Sequence, residues 1–191
     1  MVTGLFGGSF NPIHTGHIRL GQWLVGKGIV DELWFLVSPL NPFKQGDNDL
    51  LADEARLQLA RLAVKEKPGL QVSDFEMHLP RPSYMVHTLE KLRQTYPERE
   101  FRLVIGADNW ARFPQWKESE EILRHHELLI YPRPGYPIDP ETLTCGVRLI
   151  NTPQFDISST QIRHDIRSGR YHGRGLTPAV WKEIKQKGYY L

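Results

Sequence analysis

The chain has 191 residues, 40% hydrophobic and 24% charged, with a formal net charge of +2. That length suits a single α/β domain spanning residues 1–191, with a core large enough to fold without disulfides or metals. The charge is too weak and dispersed to argue for a nucleic-acid face, and no apolar run approaches the roughly 20 residues that would cross a membrane.

The single cysteine, Cys145, cannot form an internal bridge, which predicts a reducing, cytoplasmic setting. The first strand follows the N-terminus with no basic stretch ahead of it, so the start reads as mature protein rather than a signal peptide.

Short apolar runs alternate with amphipathic stretches along the chain, the pattern of a parallel sheet covered by helices on both faces. Val2–Phe6 reads as the first strand. It feeds Gly7-Gly8-Ser9-Phe10-Asn11-Pro12-Ile13-His14-Thr15-Gly16-His17, which opens a helix over His17–Lys27. Gly7 and Gly8 let backbone N–H groups come close to an anion, and a helix start adds free donors and a favourable dipole. His14 and His17, three apart, can project from one face of the first turn, with Gly16 leaving room between them. Zinc is the other chemistry two histidines suggest, but no cysteine or acidic third ligand lies nearby.

A second strand, Glu32–Val37, leads into Ser38-Pro39-Leu40-Asn41-Pro42-Phe43-Lys44 and a helix over Leu50–Lys65 with acidic residues near its start. A strand at Gln71–Asp74 and a helix at Met85–Tyr96 follow, then a strand at Arg102–Ile105 that ends in Gly106-Ala107-Asp108. A helix at Lys117–Arg124 and a strand at Leu128–Tyr131 precede the segment Pro132-Arg133-Pro134-Gly135-Tyr136-Pro137, read as a stiff loop over the sheet. The last strand is Arg148–Ile150, and helices lie near Ser159–Ser168 and Pro178–Lys187. Ser159 is the expected N-cap of the first of these, and Gly169 marks its end. The cluster Ser158-Ser159-Thr160, followed by Arg163, offers hydroxyls, N–H groups and a guanidinium for polyphosphate oxygens.

Gly8-Ser9-Phe10-Asn11-Pro12-Ile13-His14-Thr15-Gly16-His17 and Ile157-Ser158-Ser159-Thr160-Gln161-Ile162-Arg163 together resemble the two signatures of the His-x-Gly-His nucleotidylyltransferases. The likeness covers essentially the whole chain and implies a Rossmann-like parallel sheet of nucleotidylyltransferase type. Ser38–Lys44, Arg81–Leu89, Gly106–Trp110, Phe113–Trp116 and Arg133–Tyr136 are similar to the bacterial nicotinate mononucleotide adenylyltransferase family. That resemblance implies transfer of AMP from ATP to nicotinate mononucleotide, giving deamido-NAD and pyrophosphate in NAD biosynthesis, with magnesium accompanying ATP.

The resemblance makes His14, His17 and Arg163 the catalytic residues. It gives ATP to Gly7, Gly8, Ser9, Phe10, Gly16, Gly106, Asp108, Ser158, Ser159 and Thr160. Lys44 and Arg133 are implied to meet the acceptor's phosphate and Trp116 to stack on its pyridine ring, while Thr88 with the Ser83-Tyr84 backbone receives its carboxylate. No residue is assigned to a protein-held metal. Asn11 stands where many relatives carry Asp, and the basic segment 170–175, Arg-Tyr-His-Gly-Arg-Gly, has no assigned role. The competing readings are nicotinamide mononucleotide or phosphopantetheine as acceptor, an inactive nucleotide-binding protein, and, more distantly, a nucleic-acid-binding module.

Overall fold

The computed structural model describes residues 1–39 and 49–191. All six expected strands are present: β1 (Val2–Gly8), β2 (Glu32–Val37), β3 (Leu70–Ser73), β4 (Glu100–Gly106), β5 (Leu128–Tyr131) and β6 (Val147–Leu149). They form one parallel sheet in the order β3-β2-β1-β4-β5-β6. The helices are α1 (Thr15–Gly26), α2 (Asp53–Val64), α3 (Met85–Thr95), α4 (Ala107–Trp110), α5 (Ser119–His125), α6 (Ser159–Arg167) and α7 (Pro178–Lys187).

Alternation along the strands divides the core in two. Phe6, Leu33, Phe35, Val37, Val104 and Leu129 face one side and pack with Leu20 and Leu24 of α1, Leu57 of α2, Ile162 of α6 and Ile184 of α7. Leu5, Trp34, Leu103, Ile105, Leu128 and Ile130 face the other and pack with Leu89 and Leu92 of α3, Ala107 of α4 and Ile122 of α5. Both faces are therefore covered, which is why the strands read as nearly unbroken apolar runs.

The chain order reverses between β1 and β4, where an open α/β sheet places its ligand crevice. Pairing of β1 with β4 ends at Leu5 opposite Leu103. Beyond that point β1 continues to Gly8 against β2, and β4 continues to Gly106 against β5. The two strands thus part at their carboxyl ends and leave a cleft flanked by Gly7-Gly8 and Gly106.

Most element boundaries shift by one to three residues from the sequence reading, and two of the shifts, around the first motif, have a clear physical reason. Gly7 and Gly8 belong to the strand rather than to the loop, because their partners Leu36 and Val37 extend the ladder. Helix α1 starts two residues early, at Thr15, because His14 caps it. The short helix α4 and the 3-10 turns at Phe75–His78, Phe113–Gln115 and Pro140–Thr142 were not expected, since each is too short to show a period.

Candidate active site

His14 and His17 form a reciprocal cap. The His17 N–H donates to His14 Nδ1 at 3.4 Å, and the His14 N–H donates to His17 Nδ1 at 3.2 Å. The rings stack with centroids 3.5 Å apart and planes 16° apart. Because each Nδ1 accepts a backbone proton, each ring turns its Nε2 edge away from the helix start. Burial, with the charge of Arg133 adding to it, lowers the His14 pKa from 6.5 to about 3. His14 is therefore a neutral imidazole carrying its proton on Nε2, a donor rather than a cation.

Gly16 is needed for this stack. A Cβ there would lie 3.0 Å from His14 Nδ1 and 3.3 Å from Phe155 Cβ. At Gly8 a Cβ would meet the Phe10 ring at 3.1 Å, and at Gly7 the tip of Met85 at 3.0 Å.

The second motif is built directly onto the first. Ser159 Oγ donates to the Pro12 carbonyl at 2.9 Å, and Arg163 Nη1 donates to the Asn11 carbonyl at 2.9 Å. Ser159 is therefore not the N-cap; Ser158 takes that position, and the Ser159 hydroxyl goes to a tertiary partner instead. Arg163 Nε is buried with no hydrogen-bond partner among the described residues. The helix ends as expected, with Gly169 at φ 66° just past its C-cap.

These elements bound a cavity of about 380 Å³ whose floor is Phe6 and Tyr131, their rings 5.7 Å apart. His14, Gly16 and His17 form one wall, Pro132, Arg133 and Pro134 another, and residues 153–158 a third. Arg133 Nε lies 3.4 Å from Asp108 Oδ1, an ion pair that links the loop after β5 to α4. A Cβ on Gly106 would sit 2.3 Å from Asp108 Oδ1 and 3.1 Å from the Tyr131 ring, so a larger residue at that strand end would displace the Asp108 carboxylate. Arg133 thus shares the cavity with the two histidines.

Of the residues expected to hold the acceptor, Ser83, Tyr84 and Thr88 lie at the start of α3, while Arg133 lines the cavity beside the histidines. Lys117 Nζ, next to Trp116, lies 4.8 Å from the centre of the Tyr84 ring and 3.1 Å from His87 Nε2. Trp116 itself leans on Phe113 at 5.3 Å between ring centres. Ser83 is buried, and its hydroxyl reaches Glu76 at 3.5 Å. One expectation is corrected here. The Thr88 side chain is fully buried, and its O–H donates to Glu76 at 2.9 Å, so its proton is committed inside the fold. What remains open at this helix start is backbone: His87 and Thr88 N–H groups both use the Tyr84 carbonyl, ahead of them the Met85 and Val86 N–H groups precede the helical ladder. Lys44 lies outside the described residues.

Three side chains of the site escaped sequence reasoning. Glu76 is buried and accepts from Ser38 at 2.7 Å as well as from Thr88; burial pushes its carboxyl up, against the hydrogen bonds that hold it down. Tyr190 O–H donates at 2.7 Å to Asn11 Oδ1, which also accepts the Leu51 N–H, while Asn11 Nδ2 donates to the Asp49 carbonyl. Arg56 is fully buried. For Arg56 a signal existed: it shares a helical stripe with Ala60 and Ala63, so an arginine stands on the buried face of α2. Nothing local marks Glu76 or Tyr190, whose partners are remote in sequence.

A cleft at the switch point of a 3-2-1-4-5-6 parallel sheet, lined by two histidines and an arginine, is the arrangement of a Rossmann-like transferase domain. The model of the cytidylyltransferase-like family matches residues 5–165. A probable nicotinate-nucleotide adenylyltransferase of Bacteroides thetaiotaomicron is 52% identical over 184 residues, covering 96% of this chain and 91% of the relative. That of Flavobacterium johnsoniae is 37% identical, covering 100% and 99%. A Plasmodium falciparum nicotinic acid mononucleotide adenylyltransferase, solved with APC, superimposes with a TM-score of 0.83 at 19% identity, over 99% of this chain and 96% of that one. The chain belongs to the cytidylyltransferase-like family and, within it, to the nicotinate-nucleotide adenylyltransferases. No helix among the described residues is long and apolar enough to cross a membrane.

Proposed function

We propose that this protein transfers AMP from ATP to nicotinate mononucleotide, releasing pyrophosphate and forming deamido-NAD. The observation that carries this reading is the fusion of the two motifs at the switch point, through the Ser159–Pro12 and Arg163–Asn11 hydrogen bonds, beside the stacked histidines. The names carried by relatives of high identity support the choice of acceptor.

The acceptor's phosphate oxygen attacks the α-phosphorus of ATP in line and pyrophosphate leaves. That oxygen is already ionised near neutral pH, so no general base is required and the protein's work is positioning and charge stabilisation. His14, neutral, donates from Nε2 to a phosphate oxygen, and the Nε2 edge of His17 is turned to the same side. Arg163 holds the leaving phosphates together with the Ser158–Thr160 segment at the start of α6. Gly7, Gly8, Ser9 and Phe10 bring backbone close to the nucleotide, and Asp108 stands at the mouth of the cleft beside Gly106 to receive ribose hydroxyls. Among the described residues no three His, Cys, Asp or Glu side chains gather to hold a metal. Magnesium accompanying ATP would be carried by phosphates and water, and would supply charge neutralisation of the phosphates when bound.

On the acceptor side, Trp116 and Tyr84 offer flat faces to the pyridine ring. The free N–H groups at the start of α3 receive its carboxylate, a choice that disfavours the carboxamide with its own NH₂. Lys44 and Arg133 serve the acceptor's phosphate. A cytoplasmic setting suits the single, exposed thiol of Cys145.

The test is pyrophosphate release from ATP and magnesium with nicotinate mononucleotide, nicotinamide mononucleotide or phosphopantetheine. Release with the nicotinate substrate well above the other two is expected. Release with another acceptor alone would overturn the acceptor assignment, and silence with all three would overturn catalysis.

A further inference from the structure

Arg56 is the largest fully buried side chain among the described residues, and its guanidinium is spent almost wholly on backbone carbonyls. Nη1 donates to the Ser9 carbonyl at 2.6 Å and to the Ser38 carbonyl at 2.8 Å. Nη2 reaches the Pro39 carbonyl at 3.3 Å, Nε the Leu51 carbonyl at 3.0 Å, and Asp53 balances the charge at 2.5 Å. One side chain from α2 therefore fastens the loop after β1 to the chain leaving β2.

The bond to Ser9 matters because of what lies across the same peptide. In a trans peptide the carbonyl of one residue and the N–H of the next point in opposite directions. The Ser9–Phe10 peptide is not among the cis bonds. Drawing the Ser9 oxygen into the body of the protein turns the Phe10 N–H outward, and no described residue accepts from that N–H. Phe10 holds φ at 44°, a conformation that a non-glycine residue keeps only when its surroundings impose it. Its buried ring, edge-on to Phe6, His17 and Phe35, fixes the side chain but not the rotation of the peptide ahead of it. Loss of the Arg56 bond would remove the restraint that this side chain places on the orientation of the Ser9–Phe10 peptide.

We infer that Arg56 is a positioning residue for adenylyl transfer: by holding the Ser9 carbonyl inward it aims the Phe10 N–H at the ATP phosphates. The inference rests on the adenylyl-transfer reading for its ligand but is read out by nucleotide binding alone. The probe is a non-hydrolysable ATP analogue with a methylene between the α- and β-phosphates, titrated without acceptor. Each variant is measured at a temperature where thermal unfolding shows it fully folded.

Arg56→Met is expected to weaken analogue binding and lower kcat together by about 10²-fold, as misplacement of a reacting group does. Arg56→Lys, which keeps the charge but not the fork, should recover part of both. In Arg56→Ala, millimolar guanidinium should restore binding and turnover, an effect that a role limited to stability would not produce. Wild-type affinity and turnover in folded Arg56→Met would overturn the inference, and so would a binding loss in Arg56→Ala that guanidinium leaves unchanged. If none of the variants folds, amide exchange at Phe10 in the wild type decides: fast exchange in the free protein and protection by the analogue support the inference, and protection already present in the free protein overturns it. Wild type that binds the analogue yet releases no pyrophosphate would instead count against the proposed function and leave this test standing.

Discussion

Gly16→Ala should separate activity from stability. A Cβ at this position meets His14 Nδ1 at 3.0 Å, His14 Cε1 at 3.1 Å and Phe155 Cβ at 3.3 Å, so the imidazole must yield by a few tenths of an ångström. It has no slack on its other side, where the His17 ring stacks 3.5 Å away. The His17 N–H to His14 Nδ1 bond, already 3.4 Å long, would break. Losing that half of the cap costs about 0.5–2 kcal/mol. Replacing glycine by alanine within a helix returns up to about 1 kcal/mol. The two nearly cancel, leaving a Tm shift of no more than about 2–4 °C for a chain of this size. Turnover has no such compensation, because the displaced ring no longer presents Nε2 where the proposed transfer requires it. A kcat at least about tenfold lower is expected, given that a misplacement of about 1 Å costs roughly 10²-fold. Pyrophosphate release under saturating ATP and nicotinate mononucleotide, run beside thermal unfolding, is the assay. An unchanged kcat would refute the claim that the stacked histidines must be held in this geometry.

Gly26→Ala, at the far end of the same helix, is the control: a Cβ there meets nothing within 4 Å, so Tm should hold or rise by a stabilisation of up to about 1 kcal/mol with kcat unchanged. His17→Ala should lower kcat by about 10²–10³-fold with a normal circular dichroism spectrum. His14 gives the acid limb of stability. Its pKa is about 3 in the fold against 6.5 ordinarily, so between those values the unfolded chain binds more protons. Its contribution is complete above pH 6.5 and is lost as pH falls toward 3, about 2 kcal/mol of it by pH 5. Urea midpoints at pH 7 and pH 5 should diverge less for His14→Gln than for wild type. Tyr190→Phe removes the 2.7 Å bond to Asn11 Oδ1, which keeps the Leu51 N–H; a loss of about 1 kcal/mol in chemical unfolding is expected.

By itself the sequence determined the sheet, the helices that cover it, and the two motifs at the cleft. Apolar runs such as Glu32–Val37 and Leu128–Tyr131 can be satisfied only as strands buried on both faces, and this is a local property of short windows. The grouping of Gly7, Gly8, His14, Gly16 and His17 around one strand-to-helix turn was legible for the same reason: they lie within a dozen consecutive residues. Tertiary structure alone decided how the motifs are fastened. Ser159 looked like a helix cap and instead holds the Pro12 carbonyl, 147 positions away. Thr88 looked like a ligand donor, and its proton goes to a buried carboxylate 12 residues earlier. Arg56 and Tyr190, remote in sequence, both hold the loop between β1 and α1. A hydrogen bond needs a partner within about 3 Å and in line. Which distant carbonyl or hydroxyl comes that close is fixed only when the sheet order and the packing of α2, α6 and α7 on it are set.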